Sequence, residues 1–465
     1  MHTLNIDVAV IGAGTAGLAA YRAAKARGAS AVVIEGGPYG TTCARVGCMP
    51  SKLLIAAAEA AHALSHSAPF GVHLDGEVRI DGREVMDRVK RERDRFVGFV
   101  LKGVESIPPQ DRLRGYARFI DNTTLQVDEH TLVRARRVVI ATGSVPLIPP
   151  PFQVFGDRLI INDDVFNWDT LPDSVAVFGP GVIGLELGQA LSRLGVKVRV
   201  FGRGGGVGPL SDPAVCDYAC QALGREFYLD PDAKILEMGL VDGKAQIRYV
   251  NLDGEEVCER FDYVLAATGR APNVRGLALE NAGLELDAGG VPKFDPRTLQ
   301  CGDSPIFIAG DANNILPLLH EAADEGKTAG DNAALYPAVQ AGLRRSSIAV
   351  VFSDPQMMMV GSRFADLPTD GFVVGEVSFE DQGRSRVMGV NQGLLHVYAE
   401  RGSGRFLGAE MIGPRAENLA HLLAWSHQQG LTIAQMLEMP FYHPVIEEGL
   451  RTALRDAAAG LAQGV

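Results

Sequence analysis

Short runs of consecutive apolar residues recur along this chain, and two of them lead directly into glycine-rich loops. The first, Ile6–Ile11, has the composition of a buried strand, and Leu18–Ala26 beyond its loop has that of a helix. The second, Val175–Phe178, is followed in the same way by a predicted helix through Leu194. Strands that alternate with helices predict an α/β fold with parallel sheets.

The first loop has the glycine spacing of a Rossmann phosphate site. Gly12 permits the tight turn, Gly14 lets the backbone approach a pyrophosphate, and Gly17 lets the helix lie close to the strand. A second predicted strand, Ala31–Ile34, is followed by Glu35, 18 residues beyond Gly17, where a carboxylate can bind a ribose 2′-hydroxyl. Strand, loop, helix and acid together predict a dinucleotide site.

The second loop repeats this pattern with Gly179, Gly181 and Gly184. Two such sites in one chain predict two dinucleotides, and the usual combination is a tightly held flavin with an exchangeable nicotinamide. Each unit is followed by a predicted strand that ends in Thr-Gly, at Thr142-Gly143 and at Thr268-Gly269. The sequence therefore predicts two similarly built Rossmann-like domains.

The second unit lacks the acid of the first. At the corresponding position, 18 residues beyond Gly184, stands Gly202. Arg203 follows it, and Arg199 lies on the same predicted strand. An arginine there can pair with a 2′-phosphate, so we expect NADP(H) rather than NAD(H). The alternative is that Arg203 is a solvated charge in a glycine-rich turn.

Two cysteines, Cys43 and Cys48, lie five residues apart shortly after the first nucleotide unit. The glycine before Cys48 permits the turn that would bring the thiols together, and Pro50 suits the first turn of a helix that continues to about Leu64. A thiol at a helix N-terminus has a stabilised thiolate, so Cys48 is predicted to be reactive. A structural disulfide or half of a metal site would also fit the spacing alone.

Composition narrows the possible functions. The chain has 465 residues, 46% of them hydrophobic, which is enough for about two to four domains. Its formal net charge is −12, and no basic stripe is interleaved with aromatic residues, so nucleic acids and anionic membranes are poor partners. We expect no membrane span, no signal segment and no metal site. Six cysteines are too few for a secreted disulfide framework, which favours a cytoplasmic protein with one redox pair.

These motifs resemble the class I flavoprotein disulfide reductases, the pyridine nucleotide-disulfide oxidoreductase family, and most of all its dihydrolipoamide dehydrogenase branch. The resemblance extends from Asp7 to the C-terminal helix and is most specific over Gly40–Lys52, which contains both cysteines. Further matching segments are 141–144, 181–186, 269–273, 307–311 and 443–448. The resemblance implies an enzyme with FAD and NAD(P)(H) as cofactors.

The resemblance also implies roles for individual residues. The predicted FAD contacts are Gly12, Gly14, Gly17, Glu35, Thr42, Lys52, Thr142, Gly143 and Asp311, and the predicted NAD(P) contacts are Gly179, Gly181, Gly184, Glu186, Arg203 and Gly269. Asp311 would hold the ribityl chain of the flavin. Glu186 would pair with Lys52 near the reactive nitrogen of the flavin.

The predicted catalytic residues are Cys43, Cys48, His443 and Glu448. By resemblance, Cys43 exchanges with the substrate while Cys48 interacts electronically with the flavin. His443 and Glu448 supply an imidazole and a carboxylate that orients it, which is what a base for a thiol near neutral pH requires.

The order of the motifs predicts four segments. An FAD-binding domain occupies residues 1–148, an NAD(P)-binding domain 149–270, the returning part of the FAD-binding domain 271–340, and an interface domain 341–465. By resemblance, the last segment is α+β and builds a homodimer. His443 and Glu448 would then serve the disulfide of the other subunit.

Dihydrolipoamide dehydrogenase is the leading hypothesis for the activity, because its pattern requires little beyond these motifs. Gly202 departs from the acid of an NAD-linked member, and residues 441–445 lack the upstream histidine and the threonine common in that branch. An NADPH-dependent glutathione-type or other small-disulfide reductase is the alternative. The cysteine-free tail, 457–465, disfavours mercuric reductase and large thioredoxin reductases. From a different class, a flavin diaphorase or nucleotide-binding protein would need no disulfide substrate.

Overall fold

The computed structural model describes residues 2–463, which divide into two compact units. Met1 of the predicted N-terminal segment and the last two residues of the predicted tail lie outside this range. The first unit comprises the chain up to Pro50 with Lys90–Leu147 and Gly269–Arg344, and the second comprises Ser51–Val89, Ile148–Thr268 and the chain from Arg345 onward. The four predicted domain segments stay a prediction.

The predicted helices are confirmed, with ends that differ by a few residues. Their N-termini lie after glycine loops, at the second cysteine, or after short turns. In chain order the α-helices are α1 (Thr15–Ala26), α2 (Thr42–Val46), α3 (Cys48–Ser65), α4 (Gly82–Glu105), α5 (Asn162–Val165), α6 (Val182–Arg193), α7 (Pro213–Gly224), α8 (Leu319–Leu335), α9 (Gly383–Met388), α10 (Ala416–Gln428), α11 (Ile433–Leu437) and α12 (Glu447–Ala462).

The predicted strands are present as well, among many that the apolar runs alone did not indicate. In chain order they are β1 (His2–Ile11), β2 (Ala31–Glu35), β3 (Arg112–Arg114), β4 (Ala117–Phe119), β5 (Thr124–Val127), β6 (Thr131–Ile140), β7 (Ser144–Pro146), β8 (Leu159–Ile160), β9 (Ser174–Phe178), β10 (Lys197–Phe201), β11 (Tyr228–Asp230), β12 (Lys234–Val241), β13 (Lys244–Val250), β14 (Glu256–Phe261), β15 (Tyr263–Ala266), β16 (Arg270–Pro272), β17 (Ile306–Ile308), β18 (Ile348–Val351), β19 (Gln356–Gly361), β20 (Phe372–Ser378), β21 (Leu394–Glu400) and β22 (Phe406–Gly413).

The first unit is built on a sheet with the strand order β3-β2-β1-β6-β5-β4, in which β17 also pairs with β6. β1 runs parallel to β2 and β6, whereas β4 and β5 form an antiparallel hairpin. Helices α1 and α8 lie in backbone contact, because a Cβ on Gly326 would be 2.2 Å from the carbonyl oxygen of Ala16. A core of fully buried side chains, such as Val8 and Val139, holds the first glycine loop in place.

The second unit contains a parallel sheet and two antiparallel sheets. The parallel sheet has the order β11-β10-β9-β15-β8, and the antiparallel ones β12-β13-β14 and β18-β19-β22-β21-β20. Val177 on β9 and Val200 on β10 are fully buried. The α/β fold with an α+β C-terminal part is therefore confirmed. No helix among residues 2–463 is long and apolar enough to cross a membrane.

Candidate active site

The first glycine loop joins β1 to α1 and leaves the first turn of the helix without a side-chain cap. Gly12 has a φ of +105°, and a Cβ on it would lie 2.3 Å from the carbonyl oxygen of Ala141. A Cβ on Gly17 would lie 1.8 Å from the carbonyl oxygen of Gly12, so loop and helix touch through their backbones. Gly14 is the N-cap of α1 and has no side chain to bind the first amides of the helix. This geometry fits the pyrophosphate of a dinucleotide.

Glu35 ends β2 and directs its carboxylate at the same loop. Oε2 accepts a hydrogen bond of 2.8 Å from the N–H of Ala13, and Oε1 accepts one of 2.7 Å from the N–H of Gly37. The two bonds fix the carboxylate beside the loop. A carboxylate so held can accept a further hydrogen bond from a ribose hydroxyl.

Thr142 carries a polar atom that the protein itself does not satisfy. Its Oγ1 is buried, and within the described residues it has no hydrogen-bond partner. Buried hydroxyls normally have partners, so this atom fits a site where a polar ligand group binds. Gly143, next to it, has a φ of +69°, a conformation that favours glycine.

Asp311 lies just beyond β17, and hydrogen bonds link it to Ser144 and, through Ser144, to Arg270. Ser144 Oγ donates a hydrogen bond of 2.7 Å to Asp311 Oδ2, and Arg270 Nε donates one of 2.8 Å to Ser144 Oγ. Arg270 also donates to the backbone oxygen of Ser144 at 2.8 Å. The carboxylate is thereby oriented for a polyol such as a ribityl chain. Ser144 and Arg270 lie in motifs that the sequence singled out, but sequence reasoning gave them no role.

The two cysteines lie at the junction of two helices. Cys48 is the first residue of α3, as predicted, and Cys43 is the second residue of the short helix α2, which was not predicted. Between them, a Cβ on Gly47 would lie 3.1 Å from the carbonyl oxygen of Thr42 and 3.2 Å from the Cα of Cys43. The chain therefore folds back onto Cys43 immediately before Cys48. Cys48 is exposed and Cys43 half-buried.

Lys52 and Glu186 form the ion pair that the resemblance implied. Lys52 Nζ lies 2.6 Å from Glu186 Oε2, and Glu186 is only 4% exposed. The other oxygen, Oε1, accepts a hydrogen bond of 3.0 Å from the N–H of Phe352. The ammonium also lies 4.5 Å from the centre of the Phe352 ring. Phe352 therefore contacts both partners, and sequence reasoning missed it because no motif links it to Glu186.

The second glycine loop repeats the geometry of the first. Gly179 has a φ of +110°, and a Cβ on it would lie 2.3 Å from the carbonyl oxygen of Ala267. A Cβ on Gly184 would lie 1.9 Å from the carbonyl oxygen of Gly179. Gly181 is the N-cap of α6, again without a side chain. The repeat seen in the sequence is therefore a repeat in structure, and this loop also fits a pyrophosphate.

The end of β10 has no room for the acid that ends β2. A Cβ on Gly202 would lie 2.4 Å from the carbonyl oxygen of Pro231, and the N–H of Gly202 donates a hydrogen bond of 2.6 Å to the carbonyl oxygen of Asp230. Arg203 is exposed, and we find no hydrogen bond or ion pair of its side chain across residues 2–463. Its guanidinium is thus available to an anionic ligand.

Arg199, by contrast, is committed within the protein. Its Nε lies 2.9 Å from Glu259 Oε2, and Lys197 Nζ lies 2.7 Å from Oε1. Burial opposes the charge of Glu259, but hydrogen bonds from Arg199, Lys197 and Tyr249 lower the pKa of its carboxyl to about 2. Of Arg199 and Arg203, only Arg203 is therefore a candidate to bind a 2′-phosphate.

Gly269 follows β15 with a φ of +114°, and its carbonyl oxygen accepts a hydrogen bond of 3.0 Å from the N–H of Leu147. It belongs to the first unit, whereas the other predicted NAD(P) contacts belong to the second. Its assignment to the nicotinamide, like those of the other site residues, stays a prediction.

His443 lies shortly before α12 and is paired with Glu448. Nδ1 lies 3.0 Å from Oε2 and 3.2 Å from Oε1, while Arg451 donates to Oε1 at 3.1 Å. The hydrogen bond from His443 is the main cause that lowers the pKa of Glu448. An ionised carboxylate only accepts, so His443 Nδ1 carries a hydrogen and donates it to Glu448. Sequence reasoning missed Arg451, one helical turn beyond Glu448.

Known proteins resemble this chain over nearly its whole length. The family model described as pyridine nucleotide-disulphide oxidoreductase matches residues 6–326, and the dimerisation domain of that family matches residues 347–454. A dihydrolipoyl dehydrogenase from Haloferax volcanii is 32% identical over 97% of this chain and 96% of its own. A mercuric reductase from Shigella flexneri is 31% identical over 96% of this chain and 80% of its own. The Cu(II) complex of the HOCl-induced flavoprotein disulfide reductase RclA from Escherichia coli has a TM-score of 0.82 at 22% identity, covering 98% of this chain and 99% of its own.

Proposed function

Because this chain belongs to the pyridine nucleotide-disulphide oxidoreductase family, we propose that it relays two electrons between NAD(P)H and a dithiol or disulfide substrate through Cys43 and Cys48. As a member of that family it is an FAD-dependent oxidoreductase that also binds a nicotinamide nucleotide. The observation that carries the proposal is the junction at Gly47, where the chain folds back onto Cys43 just before Cys48. A reversible disulfide requires such an approach, with Cα atoms within about 7 Å.

The two sulfurs have different roles in this proposal. FAD, when bound, supplies the two-electron acceptor between the nicotinamide and the sulfur pair. Cys48, as the first residue of α3, lies at the positive end of the helix dipole, which stabilises its thiolate. A substrate thiolate attacks Cys43 Sγ, and the Cys43–Cys48 bond breaks to leave a mixed disulfide and the Cys48 thiolate.

We assign the base of this step to His443. Its Nε2 takes the proton of the substrate thiol, and Glu448 stabilises the imidazolium that forms. The chain carries the dimerisation domain of its family over residues 347–454. We propose a homodimer in which His443 of one subunit serves Cys43 of the other, so that one subunit alone has no complete site.

For the nicotinamide, we propose a preference for NADP(H). The support is the absence of room for an acid at Gly202, together with the exposed guanidinium of Arg203. A carboxylate at that position would bind the ribose 2′-hydroxyl of NAD(H), whereas an arginine can bind a 2′-phosphate.

For the substrate, we propose a lipoyl-type dithiol. A dihydrolipoyl dehydrogenase is 32% identical to this chain over nearly the full length of both. The second candidate substrate is a glutathione-type or other small disulfide, which the enzyme would reduce with NADPH. The surroundings of Gly202 and Arg203 favour this candidate. Both candidates use the same cysteine pair and base.

Anaerobic reduction of the purified holoenzyme by NADPH or a dithiol tests the relay. We expect a long-wavelength charge-transfer band from the Cys48 thiolate to the flavin, absent in Cys48→Ser. The matched variant Cys43→Ser should show the band before any reductant is added, because its Cys48 cannot form the disulfide. A wild-type spectrum with ordinary reduced flavin only would contradict the disulfide relay and favour a diaphorase. Turnover of dihydrolipoamide and glutathione disulfide with each nicotinamide then separates the two substrates.

A further inference from the structure

Two histidines at the C-terminal end of α3 lie face to face. His62 is on the helix, and His66 comes directly after its last residue, Ser65. Their ring centroids are 3.8 Å apart, and the ring planes differ by 20°. Positions four residues apart lie on the same side of a helix, because one turn takes about 3.6 residues. The end of α3 therefore presents two imidazoles side by side.

Both rings keep nitrogen atoms that the protein does not use. Nδ1 of His66 lies 2.9 Å from the backbone oxygen of His62. A carbonyl oxygen only accepts, so this Nδ1 carries a hydrogen, and Nε2 of the neutral ring then carries a lone pair. Among residues 2–463 we find no hydrogen bond to Nε2 of His66 or to either ring nitrogen of His62. His66 is exposed and His62 half-buried, so both nitrogens can meet a ligand from solvent.

The hydrogen bond of His66 is of the kind that orients a metal-binding histidine. Such a histidine commonly donates its second ring N–H to a backbone carbonyl, which fixes the ring and the nitrogen that faces the metal. His421 makes the same bond, at 2.7 Å to the backbone oxygen of Glu417. The sequence has no other histidine three or four residues from His421, whereas His62 and His66 form such a pair. Only the end of α3 therefore combines this bond with a second imidazole.

The charges around the pair favour a cation. The carboxylates of Glu226 and Asp354 and the guanidinium of Arg193 act electrostatically on His62. Arg193 Nη2 lies 2.7 Å from Glu226 Oε1 and 3.0 Å from Asp354 Oδ2, so two negative charges balance its positive one. The last carbonyl groups of a helix also carry partial negative charge, which favours a cation at that end.

We propose that His62 and His66 together bind one divalent transition-metal ion of the class that prefers imidazole, such as Ni(II), Cu(II) or Zn(II). Two bonds of about 2.0–2.1 Å to one ion put the two nitrogens about 3–4 Å apart, which small rotations of rings in face-to-face contact can provide. Within residues 2–463 no group of three or more His, Cys, Asp or Glu side chains could hold a metal ion, so water completes the coordination. This departs from the sequence-based expectation of no metal site, since the sequence does not show that the rings face each other.

Isothermal titration of the oxidised holoenzyme with nickel chloride, in slightly alkaline buffer, tests the pair. We expect one Ni(II) per chain, and a dissociation constant that rises by about 100-fold in His62→Gln and in His66→Gln, because a second ligand held nearby strengthens binding on that scale. His421→Gln, the matched control, removes an exposed histidine with the same backbone bond and should bind Ni(II) like the wild type. Electron paramagnetic resonance of the Cu(II)-loaded holoenzyme should show two imidazole nitrogens, and one in either variant of the pair.

Two double variants separate the geometry of the pair from the number of histidines. Ser65→His in His66→Gln places the second histidine three residues from His62, on the same side of the helix, and should recover part of the affinity. Leu64→His in His66→Gln places it two residues away, on a different side, and should recover none. Unchanged Ni(II) affinity in His62→Gln and His66→Gln, or equal recovery in both double variants, would overturn the proposal.

The metal site is independent of the proposed disulfide relay, because its residues all belong to the second unit and take no part in that reaction. Cys48→Ser separates the two, since Cys48 is exposed and a thiol can also bind Ni(II). Binding that persists in Cys48→Ser and is weakened in His62→Gln belongs to the histidines. Binding that is lost in Cys48→Ser and kept in both histidine variants would assign the ion to the thiols and overturn the proposal.

Discussion

Two arginines at the end of β10 differ in what holds them. Arg199 is bound to Glu259 at 2.9 Å, whereas Arg203 is exposed beside a glycine that cannot take a side chain. The carbonyl oxygen of Pro231 excludes the side chain at 202, so the backbone itself prevents the contact typical of NAD(H). We therefore propose that the Arg203 guanidinium selects the nucleotide.

Replacing that guanidinium should weaken binding of NADPH but not of NADH. We expect Arg203→Ala to raise the Michaelis constant for NADPH, and the dissociation constant for 2′,5′-ADP, by about 10-fold or more, as loss of a charged hydrogen bond would. In Arg199→Ala, the matched control, the free energy of unfolding should fall. The Michaelis constant for NADPH and the dissociation constant for 2′,5′-ADP should stay unchanged. An unchanged Michaelis constant for NADPH in Arg203→Ala would refute its role as the phosphate ligand.

Helix α7 and strand β21 are joined by a buried histidine between two carboxylates. His396 Nδ1 lies 2.7 Å from Oδ2 of Asp212, the N-cap of α7, and Nε2 lies 2.9 Å from Glu376 Oε2 on β20. Both ring nitrogens face acceptors, so both carry hydrogens and the ring is cationic. Burial opposes this charge, but the hydrogen bonds and charges of Asp212 and Glu376 outweigh it and raise the pKa of His396.

This arrangement predicts how stability depends on pH. A raised pKa means that the contribution of His396 is fully present below about 6.5, its usual value, and is lost as pH rises through the raised pKa. We expect His396→Gln to lower the free energy of unfolding by about 1–3 kcal/mol at pH 6, with a deficit that shrinks toward pH 9.

Denaturant unfolding of the wild type and the variant at several pH values measures this deficit. His421→Gln is the matched control, because His421 Nδ1 lies 2.7 Å from a backbone oxygen, that of Glu417, rather than from a carboxylate. Subtracting its deficit at each pH leaves the part that comes from the two carboxylates beside His396. A pH-independent deficit for His396→Gln would show that the histidine is neutral in the folded protein.

The elements that carry the site were predictable where the causes are local. Each glycine loop leads into the N-cap of a helix, Gly14 for α1 and Gly181 for α6. Cys48 is the first residue of α3, as Pro50 and the apolar run after it indicated. The repeat of two nucleotide units could be found because one stretch of chain carries each strand, loop and helix. Most ends differ by one residue, but α1 begins three residues, and β1 four residues, before the predicted start.

Contacts that join distant parts of the chain could not be predicted from these patterns. Phe352 binds Glu186 across 166 residues, and His396 binds Asp212 across 184. Only the pairing of Lys52 with Glu186 was anticipated, and that came from the family resemblance. The carbonyl of Pro231 has no signature in the sequence at all, because it acts through its backbone.

The second unit has an exposed apolar surface next to His443. Trp425 is 66% exposed, Met439 50% and Tyr442 80%, and they line a cleft of about 470 Å³. Exposed large apolar groups clustered in this way are typical of an interaction surface. The segment lies within residues 347–454, which match the dimerisation domain, and the adjacent His443 is 80% exposed. This agrees with a base that is offered to a second subunit.

A site shared between two subunits predicts that two inactive variants complement each other. In a heterodimer of Cys43→Ser with His443→Gln, one site combines both defects, and the other combines an intact cysteine pair with an intact histidine. Co-expressed with different affinity tags and purified as the heterodimer, the pair should have about half of the wild-type activity, because one of two symmetric sites is complete.

The matched control is the heterodimer of Cys43→Ser with Cys48→Ser, in which each site lacks one sulfur and no activity should return. If each chain used its own histidine, every site in the Cys43→Ser and His443→Gln heterodimer would be defective. Its activity would then equal that of the single variants, and the shared site would be wrong. Because both heterodimers present the same surface for association, a difference between them can come only from which subunit supplies the base.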